Sequence, residues 1–217
     1  MRLVVFDVDG TLVDSQADIV ASMAEAFAAV GLEAPAQHEI LGIVGLSLPV
    51  AMEALVADAD HALMVEAYKD SYAKLRLSKG ASSSPLYPGA WAALERLQAQ
   101  DDILLGVATG KSKRGLDGLI EAHGLQGMFV TQQVADFHPS KPHPSMLHAA
   151  LDEAGVDTPD AVMIGDTSFD AQMAHAARMP FLGVGWGYHA PSQLDGARAI
   201  LNDFSELDDA LNALWAD

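Results

Sequence analysis

The chain opens on Leu3-Val-Val-Phe6, an uninterrupted apolar run that stops abruptly at Asp7-Val-Asp9-Gly10-Thr11. A run of this kind predicts a parallel strand buried on both faces. Residues 17–30 then place Ile19, Met23 and Phe27 four apart, predicting a helix that Gly31 ends. From Pro35 to about Leu77 the pattern stays helical with no strand signal. It closes on residues 78–85, whose Ser-rich composition predicts a flexible hinge or linker. Beyond Pro88 the pattern alternates. Helices are predicted over 89–100, 112–124, 142–155, 168–179 and 205–215, and strands over 103–108, 128–131, 161–164, 181–184 and 199–201.

Strands alternating with helices in this way predict an α/β protein, a doubly wound parallel sheet of Rossmann-like type. The long helical stretch interrupts it after the first strand. The expected division is therefore a core of residues 1–14 and 85–217 with a helical cap of residues 15–84, overhanging the carboxyl end of the first strand.

Composition narrows the chemistry. Half of the 217 residues are hydrophobic, enough for a sizeable core. There is no cysteine, which removes disulfides, thiolate metal sites and a cysteine nucleophile. The 30 acids against 12 bases give a formal charge of −18, which argues against nucleic acid as a partner. An anionic substrate then needs local cations to draw it in. Arg2 is followed by only four apolar residues before an acid, unlike a signal peptide, and no apolar run approaches the ~20 residues of a membrane span. The expectation is a soluble cytoplasmic protein, monomer or homodimer.

Four loops carry chemically capable residues, each after a predicted strand or at a helix start. They hold Asp7 and Asp9, Thr109 and Gly110, Lys141, and Asp166 with Asp170. A doubly wound sheet gathers such loops at one edge. Singly, each has a plainer reading: a solvated strand end, a helix cap, a surface lysine, or acids favoured by a helix dipole. Jointly they suit phosphoryl transfer. One carboxylate can attack phosphorus and a second can protonate the leaving oxygen. A hydroxyl, backbone N–H groups, a lysine and a hard cation can hold the transferring charge. Carboxylate ligands without histidine or cysteine favour Mg²⁺ over zinc.

The sequences Asp7-Val-Asp9-Gly-Thr11-Leu-Val-Asp14-Ser, Thr109-Gly-Lys, Lys141-Pro-His-Pro and Gly165-Asp166-Thr-Ser-Phe-Asp170 resemble the four motifs of the haloacid dehalogenase superfamily. The likeness is greatest to its phosphoglycolate phosphatase-like branch. It implies Asp7 as nucleophile and Asp9 as general acid/base, with Thr109 and Gly110 binding the phosphoryl oxygens and Lys141 steadying Asp7. It also implies Mg²⁺ held by Asp7, Asp166 and the main-chain carbonyl of Asp9, with Asp170 acting nearby. The substrate implied is a small phosphorylated metabolite. A phosphosugar or nucleotide phosphatase, or a β-phosphoglucomutase-like mutase, shares the same first step and stays open. So, in a different class, does a catalytically silent phosphometabolite-binding protein.

One departure stands out. Phosphoglycolate phosphatases usually carry Asn after the second-motif Thr, where this chain has Gly110. The segment from Gly42 to Pro49 resembles the cap loop that helps choose the substrate. Lys111, Lys113 and Arg114 form the only local basic cluster, either a solvated helix start or a contact for an anionic substrate tail. His138, His143 and His148 recur at intervals of five, not the four of a helical ligand pair, and are read as surface residues. Trp186-Gly-Tyr188 either borders the site or packs under a loop.

Overall fold

The computed structural model describes residues 1–216. Six strands form one parallel sheet: β1 (Arg2–Phe6), β2 (Ile103–Thr109), β3 (Thr131–Val134), β4 (Ala161–Gly165), β5 (Phe181–Val184) and β6 (Ala199–Leu201), in the order β3-β2-β1-β4-β5-β6. Between β1 and β2 run α1 (Gln16–Ala29), α2 (Gln37–Leu41), α3 (Leu48–Leu55), α4 (His61–Lys79) and α5 (Ala90–Gln98). The later helices are α6 (Lys113–His123), α7 (Ser145–Ala154), α8 (Ser168–Ala176) and α9 (Leu207–Leu214). This is the doubly wound α/β architecture that the alternation predicts.

The continuous apolar run of β1 divides between the two faces, as successive strand residues must. Val4 and Phe6 pack with α5, α6 and α9 on one side, through Leu94, Leu97, Leu116, Ile120 and Leu207. Leu3 and Val5 pack with α7 and α8 on the other, through Met146, Leu147, Met173 and Ala174. The α1–α4 insertion has an apolar centre of its own, built on Ile19, Met23, Phe27, Ile40, Met52 and Met64.

Three details differ from the pattern. The strand expected over 128–131 lies at Thr131–Val134, because Met128 and Phe129 are buried in the core from the preceding loop. β3 is an edge strand whose polar Thr131 and Gln133 are buried against Glu153 of α7, at 2.6 and 2.8 Å. An apolar run does not mark such a strand. Helix α7 starts at Ser145 rather than 142, with Pro144 at its N-cap.

Of the Ser-rich stretch read as a flexible hinge or linker, Ser83 and Ser84 are buried and the other residues are exposed. Helix α4 runs through Lys79 and a short 3₁₀ turn follows, Gly80–Ser83. Ser83 donates a hydrogen bond to the buried Asp18 carboxylate, and Ser84 shares one with the Tyr72 hydroxyl at 3.0 Å. Composition cannot reveal these partners, which lie up to 65 residues away.

Candidate active site

Strand order reverses between β1 and β4, and a crevice opens at the carboxyl ends of the strands there. Asp7 follows β1 and Asp166 follows β4, and the Asp7 N–H donates to the Ile164 carbonyl at 2.9 Å. The chain turns sharply after Asp9, with Gly10 at φ +86°. A side chain at Gly10 would overlap the Asp166 carboxylate, and so would one at Gly187. The absence of a Cβ at both positions lets Asp166 sit between two backbones. There its oxygens accept from the Thr11 hydroxyl at 2.9 Å and the Tyr188 N–H at 2.8 Å.

Asp7, Asp166 and Asp170 are all buried, and each offers a carboxylate oxygen within 4.8 Å of the other two. Lys141, buried to 1 % exposure, faces this cluster with Nζ 2.8 Å from Asp7 and 2.6 Å from Asp170. Asp170 is held from both ends. Its other oxygen accepts from the Thr167 hydroxyl at 2.7 Å and the Thr167 N–H at 3.0 Å, at the start of α8. Burial pulls the Lys141 ammonium down, but Asp170 and Asp7 outweigh it and hold the lysine charged, above its usual range.

Asp7 has no such support. Lys141 is close, yet neither Asp7 oxygen accepts a hydrogen bond of good geometry. Burial pushes the Asp7 carboxyl up to about 7 despite Lys141. Burial also raises Asp166, with Asp170 and Asp7 adding repulsion. Three buried carboxylates facing one ammonium are short of positive charge, and two oxygens of Asp7 lack partners. An all-oxygen donor set of this kind fits a hard divalent cation.

Asp9 has partners of its own. Its Oδ1 accepts from Ser15 and from Lys111, whose Nζ lies at 2.7 Å. Lys111 also reaches the Tyr72 hydroxyl at 3.2 Å and lies 4.7 Å from the centre of that ring. Burial works against its charge, but Asp9 and Tyr72 hold it above the usual lysine range. Thr109, at the end of β2, is buried and accepts the Lys111 N–H at 3.2 Å. Gly110 sits under the insertion: a Cβ there would lie 2.7 Å from the carbonyls of Gly45 and Leu46.

The seven residues expected from the motifs therefore lie at one edge of the sheet, with the carboxylate of Asp9 held by Ser15 and Lys111. Sequence reasoning left two parts of the site open, residues 186–188 and Lys111, and missed a third, Ser15. Tyr188 and Gly187 shape Asp166, and their place after β5 at the same sheet edge was the available signal. Ser15 closes on Asp9 from the start of α1. Lys111 belongs to the site, whereas Lys113 pairs with Asp117 along α6. His143 and His148 are exposed as expected, whereas His138 is half-buried. His138 bridges Ser145 and Gln133, each at 2.8 Å, with burial lowering its basicity. Among the described residues no helix is long and apolar enough to cross a membrane.

Comparison with known proteins agrees with this arrangement. The family model described as haloacid dehalogenase-like hydrolase matches residues 4–184. A probable phosphatase, IndB, of Dickeya dadantii is 34% identical over 98% of this chain and 94% of its own. A phosphoglycolate phosphatase of Agrobacterium fabrum is 31% identical over 96% of this chain and 91% of its own. Among solved structures, a hydrolase from Pseudomonas syringae superposes with a TM-score of 0.86 at 24% identity, covering 98% of this chain and 99% of that one, a likeness of fold. A predicted phosphoglycolate phosphatase from Haemophilus somnus superposes at 0.82 with 25% identity, over 96% and 97%. The chain thus belongs to the haloacid dehalogenase-like hydrolase family, as an enzyme of its phosphatase kind.

Proposed function

We propose that this phosphatase hydrolyses the phosphate monoester of a small metabolite in two steps, through a phosphorylated Asp7 and with Mg²⁺ as cofactor. The observation that carries the reading is the Asp7 carboxylate. It is buried at the sheet edge, 2.8 Å from Lys141, with both oxygens free of hydrogen bonds. A carboxylate left so unencumbered is available as a nucleophile.

In the first step an Asp7 oxygen attacks phosphorus in line with the ester oxygen. The P–O bond to the alcohol breaks, and Asp9 supplies the proton that the leaving oxygen takes up. In the second, Asp9 takes a proton from water, which attacks the aspartyl-phosphate and releases inorganic phosphate and free Asp7. Thr109 and the Gly110 N–H hold the phosphoryl oxygens, and Lys141 balances charge on Asp7 and the transferring group. Asp170 keeps Lys141 in place. Asp7, Asp166 and the Asp9 main-chain carbonyl would hold Mg²⁺, which when bound would neutralise the phosphoryl oxygens. The α1–α4 insertion serves as a cap that excludes bulk water and selects the leaving group. Relatives named phosphoglycolate phosphatase support a small phosphorylated substrate.

The test is phosphate release from a panel of phosphomonoesters, with Mg²⁺ or with EDTA, by the wild-type chain and by Asp7→Asn. Metal-dependent release abolished in a folded Asp7→Asn variant is the expected result. Wild-type turnover by that variant would remove the nucleophile assignment.

A further inference from the structure

The crevice continues past the catalytic acids into a cavity of about 420 Å³ between the sheet edge and the insertion. At about 30 Å³ for each water-sized group it has room for about fourteen, against about nine non-hydrogen atoms in the whole of 2-phosphoglycolate. Its walls matter more than its size. Beyond Asp7 and Thr109 they are formed by Ile19 and Met23 of α1, Val44 and Leu46 of the following loop, and the rings of Tyr68 and Tyr72 on α4. Ile19 and Met23 are four apart on one helix, and Tyr68, Tyr72 and Arg76 succeed one another at the same spacing on the other. The two helices thus give the cavity an apolar and aromatic side, and Arg76 and Arg114 also line it.

The charges along this path are unevenly spent. Lys111 is paired with Asp9 and Lys69 with Glu66. Among the described residues neither Arg76 nor Arg114 has a carboxylate partner, but Arg114 is exposed, whereas Arg76 is half-buried and donates to the Arg114 carbonyl at 3.2 Å. A short hydroxy acid with its phosphate at Asp7 would leave most of the apolar wall in contact with water. Enclosed apolar surface of this kind is stabilised by an apolar occupant.

We infer that the alcohol released here carries a ring-sized, flat and largely apolar body with a hydrogen-bond acceptor on its far side. The ring lies against Tyr68, Met23 and Val44, and the acceptor meets Arg76. This rests on the phosphatase reading above and deepens it. It separates the chain from its phosphoglycolate-named relatives in substrate, not in chemistry, and Gly110 is a residue at which the chain already departs from their usual pattern.

The experiment compares esters of primary alcohols, so that leaving-group reactivity is similar. Ethyl phosphate, 2-phosphoglycolate, benzyl phosphate and a nucleoside 5′-monophosphate are assayed with Mg²⁺ by the wild-type chain, Ala73→Leu and Arg76→Gln. Ala73 lines the same cavity, and a leucine there reduces its volume. The expected result is kcat/KM for benzyl phosphate at least about tenfold above ethyl phosphate and 2-phosphoglycolate, from the differential burial of the ring. The benzyl-to-ethyl ratio should collapse in Ala73→Leu. Arg76→Gln should lower kcat/KM for the nucleotide more than for benzyl phosphate. Preference for 2-phosphoglycolate, or ring esters no better than ethyl phosphate, would overturn the inference and leave the phosphatase reading standing. No release from any ester by the folded, Mg²⁺-loaded chain would overturn that reading, and this one with it.

Discussion

Lys111 Nζ lies 2.7 Å from Asp9 Oδ1, joining the last residue of the second motif to the second acid of the first across 102 positions of sequence. The pair is mostly withdrawn from water, with side-chain exposures of 10 and 12 %. Ser15 donates to the same oxygen, and Tyr72 of α4 meets the ammonium. The carboxylate proposed as acid/base is therefore aimed by groups from both the sheet edge and the insertion.

Replacing Lys111 tests that aim. Lys111→Met removes the ammonium while keeping much of the stem, and should lower kcat by about 10- to 100-fold, a part of the full general-acid contribution. Lys111→Arg should recover some of the loss, since charge and donors remain. Steady-state kinetics beside thermal melting separate this from a folding defect. A Lys111→Met variant with wild-type kcat would show that Asp9 needs no partner.

Asp170 and Lys141 form the most deeply buried ion pair, each side chain fully withdrawn from solvent. Asp170→Ala would strand the ammonium against Asp7 alone and leave the Thr167 N–H and hydroxyl without their acceptor. Breaking such a pair costs about 3–5 kcal/mol. Chemical denaturation should show a loss of this size, together with a fall in kcat. Asp170→Asn keeps an acceptor for one partner and should cost less. A loss below about 1 kcal/mol for Asp170→Ala would show that Lys141 is anchored by Asp7 by itself.

Much of this arrangement was legible in the sequence because particular residues forced it. Leu3–Phe6 could only be a buried strand, and Asp7 had to leave it at its carboxyl end. What stayed hidden were relationships of distance. Nothing local tells that Lys111 faces Asp9 while Lys113, two residues on, faces Asp117 and solvent. Nothing local tells that Ser83 and Ser84 are buried against Asp18 and Tyr72, since isolated serines read as linker. The polar edge strand at Thr131–Val134 escaped for a related reason, its burial being satisfied by Glu153 on a helix not yet formed.

The carboxylate cluster makes stability depend on pH, and a metal held there would change that dependence. Asp7 and Asp166 bind protons more tightly in the folded chain than in the unfolded one, because of burial. Between the unfolded value near 3.8 and the folded value of about 7 for Asp7, the native state holds more protons, so stability falls as pH rises through that window. Without metal, this group's contribution is fully present below the unfolded value and lost above about 7. A bound divalent cation replaces the protons and should stabilise most at the high end. Thermal melts in EDTA and in Mg²⁺ at pH 5.5 and 8 should show a larger Mg²⁺ increment at pH 8. An equal or smaller increment there would count against a cation held by these carboxylates.

The last expectation concerns Gly110, where the loop between α2 and α3 comes down on the second motif. A Cβ at this position would stand 2.7 Å from both the Gly45 and Leu46 carbonyls, and backbone atoms cannot give way as a flexible side chain would. The loop is tied on either side of this point: the Ser47 N–H donates to Ser140 at 2.8 Å, and the Gly42 carbonyl meets His189 Nε2 at 3.1 Å. His189 Nδ1 accepts from the Ser168 N–H at 3.1 Å, so the ring donates through Nε2 and bridges the insertion to the start of α8. Gly110→Asn should therefore push the loop outward against both ties, costing about 1–3 kcal/mol of stability as overpacking does. The KM of the preferred ester should rise more than kcat falls, because the cavity wall moves while Asp7 and Lys141 stay in place. His189→Phe, which loosens one tie, should reduce the penalty of adding Asn when the two changes are combined. If Gly110→Asn melts and turns over like the wild type, the loop already yields at this point and Gly110 has no part in holding the cavity closed.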